Sequence, residues 1–149
     1  MGLVVLVAGC ATASTPTPSS TADHAAHDPQ ADRVRAELEA DLGMTFQPAG
    51  PHHVVGTAPD GVELDLVGVP VEQVVLSVRA DDPEAGVLYL PYLRDLMHGP
   101  APLYDRVAEM LACRTDADAT CDNRFSQGNL DAAVSDNEGY VVVTVSRRR

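Results

Sequence analysis

The chain contains no lysine and no tryptophan. Its ten cationic side chains are all arginine, set against 22 acidic ones, and the formal net charge is −12. A surface this acidic repels phosphate backbones and anionic lipid headgroups. That argues against nucleic-acid binding and against electrostatic adhesion to a bilayer. Aromatic residues make up only 4% of the sequence, so the core must be built from Val, Leu and Ala. No apolar run reaches the ~20 residues that a membrane-spanning helix needs. The motifs G-x-S-x-G and H-E-x-x-H and the glycine-rich phosphate loop are all missing. Ser77, Ser126, Ser135 and Ser146 therefore stand outside any nucleophile motif. The expectation is a non-catalytic protein without a cofactor.

What is present begins at the N-terminus. Residues 1–7 are almost wholly apolar and run into Val7-Ala8-Gly9-Cys10. Small side chains at Ala8 and Gly9 leave the backbone open to a peptidase, and Cys10 would present a thiol at the new N-terminus. This pattern resembles the lipobox of bacterial lipoproteins. The resemblance implies that residues 1–9 are a signal peptide and that Cys10 carries a diacylglycerol, palmitate being a typical acyl group. It also implies a lipid-anchored protein on the cell membrane, facing outside the cytoplasm, with a partner in the cell envelope. One acyl chain holds a protein only marginally, and a diacylglycerol supplies the second. Secretory signals open with a positive segment, yet no basic residue precedes Arg33. The expectation is a signal that starts upstream of Met1. Gly2 does not read as a myristoylation site, because Leu6 stands where Ser or Thr is required.

Residues 11–31 hold no large apolar side chain. Such a stretch buries too little surface to offset the entropy of ordering it, so it reads as a tether, stiffened by Pro16 and Pro18. The organisation expected is a signal peptide at 1–9, a lipidated cysteine and tether at 10–29, and one α+β domain at 30–149. Setting Cys10 aside leaves Cys113 and Cys121 as a pair, which an oxidising compartment would join. Closing this short loop stabilises the fold by ~2.5 kcal/mol on a chain-entropy argument. With neither CxxC spacing nor a nearby histidine, a zinc site there is disfavoured.

Within the domain, Asp28 and Pro29 suit the N-cap and first position of a helix. Val34, Leu38 and Leu42 form its apolar stripe, and Gly43 ends it. Strands are expected over 44–48 and 52–56, then at Val62, Leu64 and Leu66 and at Val74, Leu76 and Val78, where apolar residues alternate with more polar ones. Asp82-Pro83 opens a helical section that breaks or restarts at Pro91. A further helix is expected over 102–112, then strands over 129–134 and 140–146 joined by a turn at Asp136-Asn137-Glu138-Gly139. This order predicts an α+β two-layer sandwich, a mainly antiparallel sheet with helices packed on one face.

Four groups of residues invite a functional reading. His24 and His27, three apart, would share a helix face and suit one Zn or Cu ion, the chemistry of a metal-binding envelope protein. Against this, they sit in the tether, and Asp28 is more useful as a cap. Asp116, Asp118, Thr120 and Asp122 alternate as in a calcium loop, but Cys121 and Gln127 stand where an EF-hand needs Gly and Glu. That segment reads as a solvated acidic loop. His52, His53 and His98 read as structural. Tyr89, Tyr92 and Tyr104 accompany Leu88, Leu90 and Leu93; most of this segment reads as core, and an exposed remainder would form an interaction patch.

Overall fold

The computed structural model describes residues 27–149. Cys10, His24 and the apolar lead therefore lie outside the described residues. Helix α1, Pro29–Leu42, begins where Asp28 accepts hydrogen bonds from the N–H groups of Gln30 and Ala31. It ends at Gly43, whose φ of 65° is the left-handed cap that glycine adopts without a Cβ penalty. Four strands follow: β1 (Thr45–Gly50), β2 (His53–Thr57), β3 (Glu63–Val67) and β4 (Gln73–Arg79). A 3-10 helix, Pro83–Tyr89, leads directly into α2 (Leu90–Met97), and α3 (Ala101–Cys113) comes next. Strands β5 (Arg124–Gln127), β6 (Leu130–Asn137) and β7 (Tyr140–Arg147) complete the chain.

All seven strands form one antiparallel sheet in the order β1-β2-β3-β4-β7-β6-β5. The helical section carries the chain from the central strand β4 to the far edge, and two hairpins bring it back beside β4. Both edges are blunted, β1 by Pro48 and β5 by its length of four residues. On one face, Val54, Leu66, Val74, Val145, Ala132 and Phe125 line up across six strands. Leu64, Leu76, Val143 and Val134 form the next row. The helices cover this face with Val34, Leu38, Leu93, Met97, Leu103, Val107 and Leu111, all fully buried. Each such side chain contributes about 1.5–3 kcal/mol relative to exposure. The expected α+β sandwich is the observed architecture.

Some details differ from expectation. The segment after Asp82 starts as a 3-10 helix, and α2 proper begins at Leu90, with Pro91 in its first turn. Gly86 explains the close seat: a Cβ there would lie 3.1 Å from Leu111 and 3.2 Å from Val78. Strand β6 runs on to Asn137, so the last turn shrinks to Glu138 and Gly139, both at positive φ. That is the two-residue geometry whose twist matches the strands it joins. Strand β5 was not expected; it is too short to show alternation beyond Phe125.

Cys113 and Cys121 are joined by a disulfide, with Cα atoms 5.8 Å apart. The expected tyrosine patch is corrected. Tyr89 and Tyr104 are buried, at 1% and 5% exposure, and only Tyr92 reaches the surface, where its hydroxyl donates to Asp41. The apolar bodies of Tyr89 and Tyr104 fill the space between helices and sheet. Solvent instead meets Val87 and Leu88.

Candidate functional site

The N-terminal end of α1 stands over the ends of the first three strands, and a cleft of about 400 Å³ opens between them. Its floor is apolar. Val54 and Leu66 come from the inner face of β2 and β3, Val69 and Val71 from the β3–β4 loop, and Ala31 from the helix. Pro48 and Pro51 form one lip. The rim is polar: His27, Asp32 and Arg35 on the helix side, His52 on the hairpin side.

Two hydrogen bonds lock these elements together. Asp28, besides capping α1, accepts through its second oxygen from the N–H of Val71 at 3.0 Å. It thereby pins the helix start to the β3–β4 loop. Burial opposes ionisation of Asp28, but the N–H donors of Ala31, Val71 and Gln30 outweigh it and hold the carboxyl below its ordinary 3.8. Gly68 donates to the carbonyl of His52 at 2.8 Å, joining the loop to the β1–β2 hairpin. Gly68 has φ 99°, and a Cβ there would strike the Pro70 carbonyl at 2.9 Å, so the loop requires glycine. The cleft is thus pre-formed rather than assembled on binding.

The charges of the rim are largely satisfied within it. Asp32 lies between His27, whose Nδ1 is 2.9 Å away, and Arg35, with which it is paired. Among the described residues, neither hydroxyl nor thiol lines the cleft. The arrangement can hold an apolar body on the floor and offer the guanidinium and imidazoles to a polar end. Volume and lining match those of small-molecule sites.

The sequence-predicted residues distribute as follows. His27 stands on the rim, engaged with Asp32, while its partner His24 is outside the described residues. Among the described residues, no group of three or more His, Cys, Asp or Glu is placed to hold a metal ion. In the acidic loop, Asp116 accepts from the N–H of Asp118, and Asp122 pairs with Arg106. His53 also lines the cleft and its Nε2 lies 2.7 Å from Asp65, whereas His52 sits in the hairpin turn at φ 60°. His98 is the left-handed C-cap of α2. Sequence reasoning missed Arg35 and the loop around Val69. The loop's one signal in the sequence is Gly68-Val69-Pro70 between two strands.

It also missed Arg114. This guanidinium is 9% exposed and donates to the carbonyls of Met110 and Val134 at 2.9 and 2.8 Å. It ties the end of α3 to β6 beside the disulfide. Among the described residues no helix is long and apolar enough to cross a membrane. Comparison with known proteins adds nothing to this geometry: no family model, no curated protein and no solved structure matches the chain.

Proposed function

We propose that this chain is an envelope lipoprotein, anchored through Cys10, whose α+β domain binds a small ligand or a partner side chain without chemistry. The anchor rests on the lipobox-like Val7-Ala8-Gly9-Cys10 and on the polar segment behind it. The disulfide supports an oxidising compartment. The observation that carries the binding role is the pre-formed cleft beneath α1, with its apolar floor and its Arg35, His27 and His52 rim. The tether joins the domain at that rim, so a bound ligand would sit beside the anchoring segment.

Native mass spectrometry of the protein purified from its own membranes tests both parts. The expected mass is that of residues 10–149 plus acyl chains, with two hydrogens missing for the disulfide. A co-purifying small molecule should be present on the wild type and lost on Val54→Trp, which fills the cleft floor. An unprocessed mass would remove the anchor. The mass of the acylated chain alone in both proteins, with no adduct displaced by Val54→Trp, would remove the cleft as a ligand site.

A further inference from the structure

The side of the sheet away from the helices has no cover among the described residues. Its middle row reads, strand by strand, Gln47, Val55, Asp65, Val75, Thr144, Ala133 and Arg124. None of these belongs to the buried core, and Val55, Val75 and Ala133 are half-buried only by their neighbours in the sheet. Val142 adds a fourth small apolar side chain one step along β7. The charges on the row are separated by sign. Asp65, half-buried and already 2.7 Å from His53 Nε2, lies on β3, and Arg124 at the opposite end, on edge strand β5. Arg124 is exposed; Asp131, which feels its charge, is held by Arg148 and Ser126.

We propose that this open face is a dimer interface, and that its occupant is a second copy of the same chain. Two identical sheets can meet face to face about a two-fold axis across the strands or along them. An axis across the strands at this row sets each strand over itself, Asp65 against Asp65 and Arg124 against Arg124. An axis along β7 exchanges the two sides: β5 covers β3, β6 covers β4, and β7 meets β7. Arg124 then faces Asp65 of the second copy twice over, Ala133 meets Val75, and Val142 and Thr144 meet themselves. Only the second arrangement pairs opposite charges and gathers the small apolar residues at the centre. An extended arginine and an aspartate together reach across the ~10 Å between packed sheets.

The size fits a reversible dimer. Five strands about 4.8 Å apart and roughly six residues long give about 480 Å² in plan for each copy. The pair therefore buries on the order of 1,000 Å², the lower limit for a specific interface. A charge pair enclosed by such a contact is worth at least the 1.4 kcal/mol of a tenfold change in affinity.

Sedimentation equilibrium of the full chain in density-matched detergent at 0.15 M salt is the test. At that salt the general repulsion between acidic copies is screened beyond ~8 Å. A monomer–dimer equilibrium is expected, with the dissociation constant raised about tenfold or more by Arg124→Glu and returned to near wild type by Arg124→Glu with Asp65→Arg. Monomer at every concentration, association indifferent to Arg124→Glu, or a double variant no better than the single one would each overturn the proposal. Should the double variant not fold, Thr144→Cys in a Cys10→Ser background must cross-link to itself through a short bis-maleimide. Thr57→Cys, which this arrangement leaves outside the contact, must not. Failure of the first or success of the second equally overturns it.

Discussion

Replacing Asp28 with alanine should destabilise the domain by about 2 kcal/mol, far more than an exposed position at a helix start suggests. Two contributions add. Loss of a helix N-cap costs about 1 kcal/mol, here because Gln30 and Ala31 lose their acceptor. Loss of the bond from Val71, 43 residues away, removes about 1 kcal/mol more. For a domain of this size each kcal/mol moves the midpoint by roughly 4 °C, so thermal unfolding followed by circular dichroism should show a drop of about 8 °C. Asp28→Asn keeps one acceptor oxygen and should recover about half.

The pH dependence supplies an independent check. The carboxyl is held below 3.8 in the folded state, so its stabilisation is complete above the ordinary carboxylate range. It is lost as the pH falls through the lower, folded-state value. Wild type and Asp28→Asn should therefore differ at neutral pH and converge in acid. A midpoint shift below 2 °C for Asp28→Ala, or a difference from Asp28→Asn that persists at the acid end, would refute the account of Asp28 as the pin of the cleft.

The disulfide and the tyrosines give two further tests. Replacing Cys113 and Cys121 together by alanine should remove ~2.5 kcal/mol of loop-closure stabilisation and lower the midpoint by roughly 10 °C; an unchanged midpoint would mean the loop is held by Arg114 and its carbonyl partners alone. In alkali, burial pushes the phenols of Tyr89 and Tyr104 up to about 12. The neutral forms then favour the folded state fully below pH 10, and this is lost as the pH rises through 12. Absorbance at 295 nm should show late ionisation of two of the four tyrosines, coincident with unfolding; a single early step with the fold intact would contradict their burial.

What the sequence disclosed was local chemistry. Helix α1 could be read from end to end because Asp28, Pro29 and Gly43 each act within a turn of where they stand. Strands β3, β4 and β7 could be read because one face is buried and the alternation is strict, as in Val74, Leu76 and Val78. The 3-10 start of the middle section could not, since Gly86 matters there for what it touches on β4 and α3 rather than for its neighbours in sequence. Tyr89 and Tyr104 misled for a related reason. A tyrosine has both an apolar body and a polar tip, and only the packed structure decides which of them governs.

The cleft was illegible for a stronger reason. Its lining spans residues 27 to 71, drawn from a helix start, a hairpin turn and a loop. Their meeting depends on bonds between chain-distant partners, Asp28 to Val71 and Gly68 to His52. Neither bond has a periodicity or a motif to announce it. The same holds on the far side of the sheet. Asp65 and Arg124 share a row only because β7 returns to pair with β4. That closure places the sheet's opposite charges four strands apart, and the spacing selects one two-fold axis over the other. The part of this protein that is written locally is its secondary structure. Both surfaces proposed to bind are products of the long crossover from β4 to β5, or of the cap that ties α1 to the β3–β4 loop. Changes at Asp28 should therefore reach the cleft while leaving the Arg124 face unaffected.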